Sequence, residues 1–140
     1  MIFSAEQIFS DDQALTASAA STNLIDLGAT GTVLGAPAAL VRDIGKGNPI
    51  PIVIQLTVAA GGTSPTIQVA VQVDDNASFS SATTVATSNT LSGGVAGDKL
   101  SINWVPQGTN ERYVRLNYTL GGTSPTYTVT AGIVLADQTN

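Results

Sequence analysis

The sequence predicts an all-β protein: an antiparallel two-sheet sandwich of about eight strands, of jelly-roll type, with a short N-terminal arm. Three observations carry that expectation. Hydrophobic residues make up 43 % of the 140 and charged residues only 11 %, too apolar and too weakly charged for a solvated disordered polymer. Thr, Ser, Ala, Gly and Val dominate over Lys, Glu and Arg. β-Branched residues fit a pleated surface, whereas exposed helices need long charged side chains. Finally, apolar and polar residues alternate with period two along several segments, and Gly and Pro punctuate the chain between them. A chain of this length can bury roughly two thirds of its unfolded surface, enough for one core.

Taken in order, residues 1–21 lack clean alternation and read as an arm packed on the domain or on a neighbour. Residues 22–140 read as a single sandwich domain. Short strand candidates lie at 22–27, 38–42 and 83–88. The clearer ones follow the pleat. In 50–57, Ile52, Ile54 and Leu56 alternate with Val53, Gln55 and Thr57, and in 66–73, Ile67, Val69, Val71 and Val73 oppose Gln68 and Gln72. In 99–105, Leu100, Ile102 and Trp104 alternate with Ser101 and Asn103. Val114, Leu116 and Tyr118 share a face in 112–119, and Tyr127, Val129, Ala131, Ile133 and Leu135 share one in 127–135.

One hexapeptide occurs twice. Gly61-Gly62-Thr63-Ser64-Pro65-Thr66 recurs as Gly121-Gly122-Thr123-Ser124-Pro125-Thr126, each copy between two strand patterns. Gly supplies positive φ and Pro fixes φ, so each copy reads as a hairpin loop. The two loops are either twin turns or a paired contact surface at one end of the sandwich.

The composition excludes several kinds of chemistry. The net charge is −5, and the five basic residues are Arg42, Lys46, Lys99, Arg112 and Arg115. Phosphate neutralisation needs many more, so neither nucleic acid nor an anionic membrane surface is an expected partner. The chain has no Cys and no His, which removes thiolate metal sites, the Ser–His couple and the commonest general base. The start, Met1-Ile2-Phe3-Ser4-Ala5-Glu6, has no basic n-region or apolar run of the signal-peptide kind, and no segment approaches the roughly 20 apolar residues of a membrane helix.

The paired carboxylates Asp11-Asp12 and Asp74-Asp75 are sequence neighbours, which point to opposite faces of a strand and form poor acid/base pairs. Asp74-Asp75-Asn76-Ala77-Ser78 opens like a calcium loop. It then places Phe79 where Gly is needed and Val85 where Glu is needed, so a turn bonded to its own backbone is the expectation. The glycines of 28–31 and 93–97 are not followed by Lys-Ser or Lys-Thr, and read as loops. Trp104, Tyr113, Tyr118 and Tyr127 read mainly as core, with a sugar-binding platform as the alternative. No catalytic residue, metal site or cofactor is expected.

Three segments carry a family resemblance. The first is Phe9-Ser10-Asp11-Asp12-Gln13-Ala14-Leu15-Thr16, running on to Ser21-Thr22-Asn23-Leu24-Ile25-Asp26-Leu27-Gly28. The second is Arg42-Asp43-Ile44-Gly45-Lys46-Gly47, opening the strand at Ile50. The third is Tyr113-Val114-Arg115-Leu116-Asn117-Tyr118-Thr119, followed by Thr130-Ala131-Gly132-Ile133-Val134-Leu135. In their order and spacing they resemble the capsid cement (decoration) proteins of tailed bacteriophages, the jelly-roll family known from Bordetella-type phages.

The resemblance implies a virion protein on the outer capsid surface, assembled in the host cytoplasm. Its implied partners are the major capsid protein, whose adjacent subunits it clamps, and further copies of itself as a dimer or trimer. The expected contact residues are Ile2, Phe3, Ile8 and Phe9 in the arm, with Ser64, Pro65, Ser124 and Pro125 in the repeated loops. The alternative is a carbohydrate-binding or adhesin-like β-sandwich module of a virion.

Overall fold

A computed structural model describes residues 3–43, 45–104 and 107–135. The chain is all-β and antiparallel. After a single 3₁₀ turn at Ala5–Gln7 come strands β1 (Ile8–Leu15), β2 (Ala19–Ala20), β3 (Ile25–Asp26), β4 (Ile50–Asp74), β5 (Thr83–Thr87), β6 (Leu91–Ser92), β7 (Lys99–Trp104) and β8 (Tyr113–Ile133). Within the expected arm, β1 and β2 are strands of the sheet, both paired with β8. The apolar run expected as a strand at 38–42 forms none, and the one expected at 22–27 contracts to β3.

The repeated hexapeptides are not hairpin loops. Each lies inside one long strand, and the two copies pair with each other: Gly61 opposite Thr126, Thr63 opposite Thr123, and Thr66 opposite Gly121. On β4 three steps from Thr63 to Thr66 oppose two on β8, and on β8 three steps from Thr123 to Thr126 oppose two on β4. Each strand therefore bulges at its own Ser-Pro, across from a glycine of the other copy. A proline cannot donate to the ladder, and a bulge is where a sheet tolerates it. Ser64 and Ser124 adopt φ of 48° and 49°, and Gly62 and Gly122 adopt 100° and 99°.

These bulges fold the sheet over. Ser10 of β1 lies opposite Ala131 of β8, yet its hydroxyl is 2.7 Å from the Tyr118 hydroxyl. A straight strand would hold Tyr118 and Ala131 roughly 40 Å apart, so β8 turns back on itself, as strands do at sandwich corners. One layer is β7, the first part of β4, the last part of β8, and β1. The other is β5 and β6, the rest of β4, the first part of β8, and β2 and β3.

The inward faces meet in one core. Ile52, Ile54, Leu56, Val129 and Ala131 come from the first layer, and Ile67, Val69, Val71, Leu116 and Tyr118 from the second. All are essentially solvent-free. Each such aliphatic side chain contributes roughly 1.5–3 kcal/mol by leaving water.

Candidate functional site

The bent strands give the molecule two unlike ends. At the folded-over end lie the two hexapeptides, with Ser64 and Ser124 exposed and Pro65 and Pro125 half-buried. At the open end both long strands begin and finish. The structure brings Ser64, Pro65, Ser124 and Pro125 together across the local pairing. It keeps them apart from the N-terminal residues, because Ile8 pairs with Gly132, roughly 30 Å along β8 from Thr123.

The N-terminal residues divide further. Ile2 lies outside the described residues. The Phe3 ring lies against Gly132, where an added Cβ would come within 2.6 Å of its Cδ1. Ile8 is half-buried beside Leu24 and Thr22. Phe9 is 0 % exposed in the chain's own core, so its ring has no surface to offer a partner. The bulge in β1 explains this, since Phe9 and Ser10 both turn inward although they are neighbours.

The open end carries what the sequence reading did not single out. From 27 to 49 no described residue is in a strand, and a connection that long inside a small domain is uncommon. Residues 27–41 contain no charged side chain. They form a finger, closed by Leu40 N–H donating to the Gly31 carbonyl (2.8 Å) and turned by Ala36 N–H donating to the Val33 carbonyl (2.9 Å). Leu27, Val33, Leu40 and Val41 are all more than half exposed, and Leu34 at the tip is fully exposed. The uncharged run was the available signal, but part of it read as a strand at 38–42.

The base of the finger is tied down by charge-assisted bonds. The Arg42 guanidinium donates to the carbonyl of Gly28 and to that of Asn110, stapling both feet of the finger to the 107–112 segment. Leu27 N–H donates to the Arg112 carbonyl at 2.9 Å. Arg112 also grips Asp26 bidentately, Nε to Oδ1 and Nη2 to Oδ2, both at 2.7 Å. That grip, helped by Gly28 N–H, holds the Asp26 carboxyl at about 2, below its ordinary 3.8. Nearby, burial and then the Asp75 carboxylate push Glu111 up from its usual value.

Between the feet opens an apolar cavity of about 340 Å³. Its walls are strand ends of both layers, including Ile25, Ile50, Val73, Trp104 and Ile133, with Leu27 and Arg42 of the finger's feet and Thr109 and Glu111 beside them. Trp104 is thus 6 % exposed and belongs to core and cavity wall. Tyr118 and Tyr127 are buried, and Tyr113 lies half-buried under the Arg112 guanidinium, 4.9 Å from ring centroid to Cζ. These rings do not form an exposed platform.

The Asp74 stretch is a turn. Asp74 Oδ1 accepts from Asn76 N–H at 2.9 Å and Oδ2 from Ser81 N–H at 2.8 Å, which lowers its carboxyl from the ordinary range against the opposing effect of burial.

A protein-family model described as Bbp16 matches residues 9–137 of this chain, from β1 to beyond the end of β8. The name points to a bacteriophage protein. No curated protein matches the chain.

Proposed function

The chain belongs to the Bbp16 family, and from that membership we propose that it is a capsid cement, or decoration, protein of a tailed phage. It oligomerises and clamps adjacent major capsid protein subunits on the outside of the head. The observation that carries this reading is the extent of the match, which takes in the finger and cavity of the open end as well as the core strands.

The surface supports a role in protein contact. An uncharged apolar finger on a chain of net charge −5 suits a protein surface better than a polyanion. The arginine side chains are engaged within the fold: Arg42 on Gly28 and Asn110, Arg112 on Asp26, and Arg115 over the Phe79 ring and on Gln72. In this reading nucleic acid and membrane are not partners, and the chain performs no catalysis. Repeated copies on a symmetric shell turn a modest contact into strong retention.

The test is co-sedimentation with expanded phage heads lacking the protein, beside free major capsid protein as control. Saturable pelleting in fixed ratio to the shell subunits is the expected result. A protein that stays in the supernatant at every concentration sinks the reading. For the carbohydrate alternative, Trp104, Tyr118 and Tyr127 are buried and Tyr113 lies half-buried beneath Arg112, and a specific signal on a glycan array would favour that reading.

A further inference from the structure

We propose that Glu111 is a proton-operated latch on the finger. Protonated, its carboxyl bonds Asp75 and leaves Arg42 to staple the finger's feet; ionised, it draws Arg42 away and frees them. The device goes beyond the shell reading and stands or falls without it.

The finger hangs on one short segment, 108–112. Leu27 N–H donates to the Arg112 carbonyl, and Arg42 N–H donates to Asn110 Oδ1 at 2.6 Å. The Arg42 guanidinium adds the Asn110 carbonyl at 3.0 Å and the Gly28 carbonyl, and Gly108 N–H donates to Asp43 Oδ2 at 2.7 Å. The segment is in turn tied to the end of β4, where Arg112 N–H donates to Asp75 Oδ1 at 3.2 Å. Glu111 stands among these ties, half-buried in the cavity wall that Arg42 and Trp104 also line. A change in what its carboxyl grips therefore reaches both feet.

Two groups compete for that carboxyl. Asp75 is exposed just past β4, with its carboxyl in hydrogen-bonding range of Glu111, and two carboxyls that meet must share a proton or repel. The other is Arg42, the cation of the cavity wall. The remaining charged groups nearby are committed elsewhere. Asp74 is buried with its oxygens on Asn76 and Ser81, Asp26 and Arg112 hold each other bidentately, and Asp43 takes the amides of Gly45 and Gly108. Burial favours the neutral acid, as do the Asp75 and Asp74 carboxylates, and against a smaller pull from Arg42 they raise Glu111 above its ordinary 4.5.

Each protonation state selects one arrangement. The neutral acid donates to Asp75, Arg42 stays on its two carbonyls, and both feet are held. The carboxylate instead meets like charge on Asp75 and Asp74 and opposite charge on Arg42. A pair with both partners ionised is stronger than a guanidinium bond to a neutral carbonyl, so Arg42 turns to Glu111 and releases Gly28. Because the folded pKa is raised, the held state is complete at low pH and is lost as pH rises through that value. Acid closes the latch, and neutral pH opens it.

Trp104, the chain's single tryptophan, lines the same cavity as Glu111 and reports its charge by fluorescence. The experiment titrates that emission on the full chain from about pH 3 to about pH 8, across the carboxylate range and beyond it. Amide hydrogen exchange of residues 28–41, corrected for its intrinsic pH dependence, is followed on the same samples. The wild type should show a transition above 4.5, with finger amides exchanging about tenfold faster on its alkaline side. Glu111→Gln, whose amide donates to Asp75 as the neutral acid does, should lose the transition and keep the finger protected throughout. Asp75→Asn should move the midpoint down towards 4.5. A transition that survives in Glu111→Gln, a midpoint unmoved by Asp75→Asn, or wild-type finger amides whose protection ignores pH would each overturn the proposal.

Discussion

The buried Tyr118 hydroxyl shows how single groups hold the two layers in register. Ser10 Oγ donates to Gln13 Oε1 at 2.6 Å, which uses its only proton. The 2.7 Å contact between Ser10 and Tyr118 must therefore be donated by the tyrosine. Burial pushes the Tyr118 phenol well up from its ordinary value, so the donor keeps its proton. Ser10→Ala strands that donor in the core and should cost about 1–3 kcal/mol. Tyr118→Phe leaves Ser10 its bond to Gln13 and should cost about 1 kcal/mol. Urea denaturation of both single variants and the double variant would measure the coupling, with the double less destabilised than the sum.

Asp26 gives a pH signature at the same scale. Its folded pKa of about 2 lies below the ordinary 3.8, so its contribution to stability is complete above pH 4 and is lost as pH falls towards 2. The stability difference between wild type and Asp26→Asn should therefore shrink across that window. A difference that stays constant from pH 5 to 2 would contradict the Arg112 grip as its source.

At the scale of elements, the two long strands are what the fold depends on, and their bends depend on glycine. A Cβ at Gly62 would collide with the Ser124 carbonyl oxygen, and one at Gly122 with that of Ser64, at φ values unfavourable to any side chain. Gly62→Ala and Gly122→Ala should each cost about 2 kcal/mol or more. Gly31→Ala, where a Cβ meets nothing within 4 Å and φ is ordinary, should be neutral or slightly stabilising in the same denaturation series.

The pleat itself was legible. Ile52, Ile54 and Leu56, or Val69, Val71 and Val73, alternate because one face of each half-strand is core and the other is not. The bends were misread because Gly, Ser and Pro serve a hairpin and a bulge alike, and local composition does not reveal that the partner of one copy is the other copy. Strand β1 was hidden by its own irregularity. Register shifts at Ile8/Ser10 and Ser10/Gln13, with Asp12 at φ 51°, break the alternation that would have announced it. The open end was illegible for another reason: the glycines of 28–31 read as a loop and the apolar residues of 38–42 as a strand, and neither pattern reveals that 27–41 stands exposed without a strand partner.

At the scale of the whole molecule, the architecture sets a closed end, stitched by the paired hexapeptides, against an open end that presents finger and cavity. Such a body can act as a clamp if its contacts form only where shell subunits sit side by side. Binding to the assembled shell but not to free subunits then stabilises the shell by mass action, to an extent that grows with free protein until the sites are full. The most direct measurement is the temperature at which heads release packaged DNA, taken with and without saturating protein. A release temperature that rises with added protein and levels off at fixed stoichiometry is the expected result. Heads that bind the protein in full and yet release DNA at an unchanged temperature would contradict the claim that it cements the shell.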